Sequence, residues 1–200
     1  RSPTRTGSTK SISSIEAVTA DPPEWRWATT PATSSTSFIT TPPWTLPSNQ
    51  FAAVHPELEY SVVEESEGRK LIIASALAEQ VLAKANLEPK VLRTLRGREL
   101  IGRRYRPPFD YYYRAHGQHQ GALRAGGKQH IAWRVVPAAF VTVDSGSGVV
   151  HQAPAFGEVD FDVLVEQQQR FVGNEGPSLI CAVAPDGKFS NEAPDYQGRW

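Results

Sequence analysis

Turn residues divide this chain into many short apolar runs, and that spacing limits what it can fold into. The runs are rich in Val, Ile, Tyr and Phe, which is typical of strands bounded by turns. They cover residues 51–54, 59–63, 70–73, 131–136, 139–143, 149–151 and 179–184. Helical spacing occurs after Ser75, which is a candidate N-cap, up to about Asn86, and again over residues 161–171. The sequence therefore predicts an α+β domain that is strand-rich and barrel-like, with a few helices.

Residues 1–38 differ from the rest of the chain. They are crowded with Ser, Thr and Pro and show no apolar period, so we expect this segment to be mostly irregular. Trp25 and Trp27 stand at strand-like spacing within it, which is compatible with one short strand near residues 24–28. We expect the folded domain to cover residues 39–200.

The composition of the chain excludes several classes of function. Two hundred residues suffice for one domain, and 21 basic residues balance 21 acidic ones, so no overall field favours nucleic acid or membranes. No apolar run is long enough to span a bilayer or to form a signal peptide. One cysteine, Cys181, excludes internal disulfides and fits a reducing, cytoplasmic location. The absence of methionine indicates a segment of a longer chain, which we expect to be monomeric.

The first candidate site is the stretch 40–49, with sequence TTPPWTLPSN. Its prolines disfavour both helix and strand, while its hydroxyls and its amide keep their hydrogen-bonding groups. We expect a rigid, extended polar loop that could hold a water or a ribose hydroxyl. The alternative is a capped turn before the strand at Phe51.

The second candidate site is the stretch 146–160, with sequence GSGVVHQAPAFGEVD. A strand carries His151 into a Pro/Gly loop, and the loop returns Asp160 at the start of a helix. The structural alternatives are that Asp160 is only an N-cap and that His151 is only a packed, hydrogen-bonded residue. The stretch lacks the third glycine of a dinucleotide-binding fingerprint.

A basic and aromatic stretch covers residues 91–114 and could contact phosphates and stack on bases. Alternatively it is a solvated surface whose tyrosines pack inward. His116, His119 and His130 lack nearby Cys or paired carboxylates at ligand spacing, so we expect surface histidines and no metal site.

Together the two candidate loops resemble the editing domain inserted in isoleucyl-tRNA synthetase, a class I enzyme. That family reads W-T-T-T-P-W-T-L-P-x-N in the first motif and G-T-G-[IV]-V-H-x-A-P-x-[FY]-G-x-x-D in the second. The resemblance covers residues 39–200, with Ile39 in place of the family's Trp and Pro42 in place of its third Thr. No HIGH or KMSKS signature occurs, so this segment lacks the site that adenylates an amino acid.

The resemblance implies hydrolysis of valine misattached to isoleucine tRNA, with no metal or nucleotide cofactor. Asp160 would bind the substrate's α-amino group, and His151 would line the side-chain pocket and help exclude isoleucine. The groups that position the ribose, the ester and the water would be Thr40, Thr41, Thr45 and Asn49. Further substrate contacts are predicted at Trp44, Ala153, Phe156 and Gly157, and tRNA contacts at Arg103, Arg104 and Arg106.

The expected partners are the 3′ end of an aminoacylated tRNA and the remainder of a synthetase chain, with no membrane. The alternative function is a non-catalytic tRNA-binding module that keeps the editing fold but has lost hydrolysis through Pro42 and the altered N-terminal segment. If the two loops form one site, Thr41 and Asp160 must face a common cleft.

Overall fold

The computed structural model describes residues 10–17, 25–32, 43–64, 70–88, 90–144 and 146–199. Within them the strands, in chain order, are β1 (Lys10–Ala17), β2 (Trp25–Ala32), β3 (Phe51–Val54), β4 (Glu59–Glu64), β5 (Lys70–Ala74), β6 (Lys90–Arg96), β7 (Tyr105–Arg106), β8 (Gln120–Ala122), β9 (Lys128–His130), β10 (Val135–Pro137) and β11 (Val149–Gln152). The α-helices are α1 (Ala78–Lys84), α2 (Tyr111–His116) and α3 (Glu158–Gln169). Short 3-10 helices cover Pro43–Ser48, Ser75–Leu77, Gly97–Glu99 and Pro194–Tyr196.

The described strands form three sheets. The largest has the order β6-β4-β5-β1-β2-β7, the second has the order β10-β3-β11, and β8 pairs with β9. The predicted α+β, strand-rich class is confirmed, and the described pairings leave both larger sheets open instead of closing them into a ring. Each of the described helices is too short or too polar to cross a bilayer, and the longest α-helix, α3, has 12 residues.

The expectation of a mostly irregular segment at residues 1–38 is wrong for the parts that the structure describes. β1 pairs antiparallel with β2 along its whole length and with β5 on its other side. β2 includes the short strand expected near residues 24–28 but extends to Ala32. The Ser and Thr content gives these strands weak local propensity, which pairing with distant strands overrides. β1 pairs with β5, more than 50 residues further along the chain, and β2 pairs with β7.

The second sheet carries the residues of the candidate site, and β3 is the central strand of this sheet. All four residues of β3 are buried, as expected for a strand covered on both faces. It pairs parallel with β10 and antiparallel with β11, so that His151 lies opposite Ala52. The predicted strands at β3, β4, β5 and β11 are confirmed.

Two other predicted strands do not form. Residues 139–143 are turn and irregular structure, and they follow directly on the hydrogen bond that the N–H of Ala138 donates to the carbonyl of Val54 in β3 at 2.9 Å. Residues 179–184 do not form a strand, although Val183 makes an isolated bridge with Phe189, and two of their backbone donors bond to side chains. The N–H of Ala182 donates to Ser48 Oγ at 2.8 Å, and that of Ile180 donates to Gln50 Oε1 at 3.3 Å.

Both predicted helices form with shifted starts. Ser75 is not the cap of α1, because its hydroxyl bonds to the hydroxyl of Ser61 at 2.9 Å and a 3-10 turn precedes the helix. Helix α3 begins at Glu158 with Gly157 as its N-cap, so Asp160 is already inside the first turn. The structural alternative, in which Asp160 is only the N-cap of this helix, is therefore wrong.

Candidate functional site

The two candidate loops lie side by side at β3, although 102 residues separate Asn49 from His151 in sequence. β3 begins directly after Asn49 and Gln50, and β11, which carries His151, pairs with it. The N–H of Gln50 donates to the carbonyl of Gln152 at 2.9 Å, which extends this pairing to the base of both loops. The sheet therefore brings the loops together.

Residues Pro43–Ser48 form a 3-10 helix, not the extended loop that we expected from the prolines. The fixed φ of proline suits a short tight helix, and the N–H of Asn49 closes its end on the carbonyl of Leu46 at 3.1 Å. The helix turns Thr45 into the protein interior, where 2% of the residue is exposed, and leaves Trp44 52% exposed. Thr40, Thr41, Ile39 and Pro42 lie outside the described residues.

The side chain of Asn49 is the centre of a buried network. Its Nδ2 donates to the carbonyl of Phe51 at 3.1 Å and to Nδ1 of His151 at 2.7 Å. Its Oδ1 accepts the hydroxyl of Tyr105 at 2.6 Å, and its backbone carbonyl accepts the indole N–H of Trp133 at 3.0 Å. Because a carbonyl can only accept, the bond to Phe51 fixes which end of the Asn49 amide is the donor.

His151 is held in one neutral form by its two neighbours. Nδ1 accepts from Asn49, so the ring hydrogen lies on Nε2 and donates to Oγ1 of Thr45 at 3.3 Å. Only 5% of His151 is exposed, and this burial lowers the pKa of its ring to about 4. At neutral pH the imidazole is therefore uncharged and has a hydrogen-bond partner at each nitrogen.

Asp160 holds the loop that follows β11. Its Oδ2 accepts the N–H of Ala153 at 2.7 Å, and its Oδ1 has no hydrogen-bond partner among the described residues. Burial raises the pKa of the Asp160 carboxyl, and the bond from Ala153 opposes that shift. The half-buried carboxylate thus has one oxygen bound to the fold and one available to a ligand.

The other predicted substrate contacts occupy the same two loops. Ala153 is 1% exposed, Phe156 is 37% exposed and Gly157 is half-buried at the start of α3. A Cβ built on Gly157 would approach the Asp160 side chain at 3.5 Å, an ordinary contact, so space alone does not demand glycine there.

The three predicted tRNA-binding arginines are engaged within the protein. Arg103 Nε donates to the carbonyl of Glu99 at 2.9 Å, and Arg104 Nη2 donates to the carbonyl of Gly117 at 2.8 Å. Arg106 forms an ion pair with Asp110 at 3.3 Å. Their contact with tRNA stays a prediction, and of the three only Arg106 holds the segment between β7 and α2, through Asp110.

A cleft of about 400 Å³ adjoins the network, with Gln50 and Trp133 among its walls. Its polar side chains hold neighbouring segments together. The Tyr112 hydroxyl donates to Glu192 at 2.6 Å, and Gln50 Nε2 donates to the carbonyl of Ser178 at 2.6 Å.

His116 and His119 also lie at this cleft, with ring centroids 5.2 Å apart in an edge-to-face arrangement. In the part of the chain that the structure describes, no group of three or more His, Cys, Asp or Glu side chains could hold a metal ion.

Sequence reasoning missed two members of the network, Tyr105 and Trp133. Both are almost completely buried, and each reaches Asn49 across more than 50 residues of sequence. Tyr105 lies within the basic stretch, whose arginines predict phosphate binding. Its neighbours in sequence carry no signal that it meets Asn49.

Comparison with known proteins finds relatives over most of the chain. The isoleucine–tRNA ligase of Bdellovibrio bacteriovorus is 41% identical over 161 residues, which are 80% of this chain and 13% of the relative. The cytoplasmic isoleucine–tRNA ligase of Caenorhabditis elegans is 40% identical over 161 residues, or 80% of this chain and 12% of the relative. The chain thus spans about one eighth of the length of these curated relatives.

The fold also has a counterpart among solved structures. The editing domain of the cytosolic leucyl-tRNA synthetase of P. knowlesi matches 96% of this chain and 77% of its own, with a TM-score of 0.51 and 12% sequence identity. No family model matches the chain.

Proposed function

We propose that this chain, which is homologous to one segment of the isoleucine–tRNA ligases and has the fold of a synthetase editing domain, hydrolyses valine from misacylated isoleucine tRNA. The hydrogen bond between Asn49 and His151 carries the proposal. It joins the two motifs that resemble the editing family into one buried network. The proposed partners are the 3′ end of the tRNA and the remainder of a synthetase chain, in the cytoplasm.

Asp160 anchors the substrate in this proposal. An aminoacyl ester differs from other esters by the ammonium group next to its carbonyl, and a carboxylate recognises that group. Asp160 is half-buried and its Oδ1 has no hydrogen-bond partner among the described residues, so a charge-assisted hydrogen bond to that oxygen contributes about 1.5–3 kcal/mol. The bond from Ala153 to Oδ2 fixes the direction in which Oδ1 points.

The chemical step is attack of water on the carbonyl carbon of the ester. The bond from that carbon to the ribose oxygen breaks, and the ribose oxygen takes up a proton. Such an activated ester needs a positioned water and a held carbonyl more than a strong base. We assign that positioning to Thr40, Thr41 and Thr45, whose hydroxyls can both donate and accept.

Asn49 and His151 hold the side chain of Thr45 in position without contacting the reacting atoms. Both amide hydrogens of Asn49 are used, one on Phe51 and one on His151, so Asn49 shapes the site through its neighbours. His151 is neutral, and its buried ring contributes the wall that limits the side-chain pocket. A second, smaller pocket is the physical solution where one methylene supplies too little binding energy to separate valine from isoleucine.

The experiment that tests the proposal is hydrolysis of Val-tRNA by Asp160→Asn. Asparagine keeps an oxygen for the Ala153 N–H but loses the charge, so we expect kcat/KM to fall at least about tenfold while the fold persists. The matched control is Asp162→Asn, since Asp162 lies on the same helix and is exposed.

Equal activity of the wild type and Asp160→Asn, at the same folded fraction, would remove Asp160 from the site. If the wild-type chain binds the tRNA but does not hydrolyse its ester, the protein is the non-catalytic binding module, consistent with Pro42 replacing a threonine.

A further inference from the structure

Tyr105 belongs to the buried network, yet the proposed hydrolysis gives it no role. Its residue is 1% exposed and its hydroxyl lies 2.6 Å from Asn49 Oδ1, which is short for a hydrogen bond between two oxygens. Its backbone is fixed on both sides, because its N–H donates to Trp133 at 3.1 Å and β7 pairs with β2. A rigid phenol ring on a fixed backbone delivers its hydroxyl to one place.

The hydroxyl acts at the start of a directional chain of hydrogen bonds. Tyr105 donates to the Asn49 oxygen, the Asn49 nitrogen donates to His151 Nδ1, and His151 Nε2 donates to Thr45 Oγ1. Each bond polarises the next, so a chain of this kind is stronger than its separate bonds in a low-dielectric interior. Since Thr45 Oγ1 accepts from His151, the hydrogen of the Thr45 hydroxyl must point to a different acceptor.

We propose that Tyr105 is a positioning residue, which selects the Nε2–H form of His151 through Asn49 and thereby sets the direction of the Thr45 hydroxyl. The catalytic consequence of this role rests on the proposed hydrolysis, but the protonated form of His151 does not. The Asn49 amide has two holders, the Tyr105 hydroxyl on its oxygen and the Phe51 carbonyl on its nitrogen. The Tyr105 hydroxyl is required in addition to the Phe51 carbonyl.

The first measurement is the nitrogen-15 NMR shift of each ring nitrogen of His151 at pH 7, in the wild-type chain and in Tyr105→Phe. In the wild type we expect Nε2 to be protonated and Nδ1 to be bare. In Tyr105→Phe we expect the two shifts to move toward each other, as the ring exchanges between its two neutral forms. A wild-type ring protonated at Nδ1 overturns the inference without any variant, and unchanged shifts in Tyr105→Phe show that Phe51 alone holds the amide.

Tyr60→Phe is the matched control. Tyr60 is fully buried like Tyr105, and its hydroxyl donates to the Gly148 carbonyl at 2.8 Å, outside the network. Both variants delete one buried hydroxyl, so a purely structural role predicts similar losses of stability and no change in the His151 shifts. We expect only Tyr105→Phe to move those shifts.

The second measurement is hydrolysis of Val-tRNA. We expect Tyr105→Phe to lower kcat on the order of tenfold with KM unchanged. A displaced Thr45 hydroxyl slows the chemical step but does not weaken substrate binding. Tyr60→Phe should keep the wild-type kcat at the same folded fraction. If the wild-type chain does not hydrolyse Val-tRNA, the proposed function is contradicted. The NMR measurement still decides separately whether Tyr105 sets the protonated form of His151. A kcat that stays unchanged while the shifts move overturns the catalytic part of the inference.

Discussion

Two buried polar clusters in the described part of the chain differ in how completely their polar groups are paired. In the neutral cluster around His151, defined by Thr45, Asn49, Tyr105 and His151, each ring nitrogen and each end of the Asn49 amide has a partner. In the second cluster, Arg134 carries a positive charge into the core with no residue surface exposed.

The pairing of Arg134 is incomplete. Its Nε donates to the carbonyl of His130 at 2.9 Å and its Nη2 donates to Gln167 at 2.9 Å, while Nη1 has no partner within the described part of the chain. Among the described residues no carboxylate pairs with it, and the face of Phe51 lies 5.5 Å away. Burial, assisted by the charge of Arg170, lowers the pKa of Arg134 to about 9.

The contrast teaches that burial alone does not show whether a polar group stabilises the fold. Partners that complete a neutral cluster make its members costly to remove, because each deletion leaves the others unpaired. A buried charge without an opposite charge is already costly, so deleting it relieves part of that cost. The clusters should therefore respond to mutation in different ways.

The largest effect is expected for Asn49→Ala. The substitution leaves the Tyr105 hydroxyl, the His151 Nδ1 and the Phe51 carbonyl without their shared partner, and a loss of about 3–5 kcal/mol in the free energy of unfolding should follow. Urea denaturation measures it, with the exposed Asn191→Ala as a control that should change stability by less than about 0.5 kcal/mol. A loss below about 1 kcal/mol for Asn49→Ala would mean that the network adds little to folding.

The next effect is a dependence on pH that arises from His151. Its ring titrates near 6.5 in an unfolded chain and near 4 in the folded protein. Between these values the unfolded state binds more protons, so the stability contributed above pH 6.5 is lost as the pH falls toward 4, by about 3 kcal/mol in total. Denaturation across this window should show a smaller slope in His151→Gln than in the wild type, and equal slopes would place a charged or exposed ring at position 151.

The smallest effect is expected for Arg134→Met. Methionine fills similar volume without a charge, and Gln167 keeps its bond from Arg170 at 2.7 Å. The free energy of unfolding should change by no more than about 1 kcal/mol, and an increase is compatible with the account. A loss above about 3 kcal/mol would reveal an opposite charge bound to Arg134, and would remove the contrast between the clusters.

The sequence predicted the fold best where a run of residues is apolar over its whole length. β3 is such a run, and β4 and β5 contain apolar stretches at residues 62–63 and 71–74 whose burial follows from their composition. Residues 179–184 are apolar over their whole length but do not pair as a strand, because Ser48 and Gln50 take two of their backbone donors. That outcome depends on side chains more than 100 residues away, so the local sequence pattern cannot indicate it.

The candidate site was predictable as two loops but not as a network. The spacing around His151 and Asp160 and the resemblance to the editing family indicated which residues belong together. Tyr105 could not be found in this way, since only the folded sheet brings it to Asn49. The direction of each hydrogen bond likewise follows from the carbonyl of Phe51, which is a property of the fold.

The most direct test of the account is hydrolysis of two esters by the wild-type chain, Val-tRNA and Ile-tRNA with the same isoleucine tRNA. The account predicts that the valine ester is hydrolysed well above its spontaneous rate, while the isoleucine ester is hydrolysed at a much lower rate. Hydrolysis of Val-tRNA at the spontaneous rate, by a chain that is folded and binds the tRNA, would contradict it.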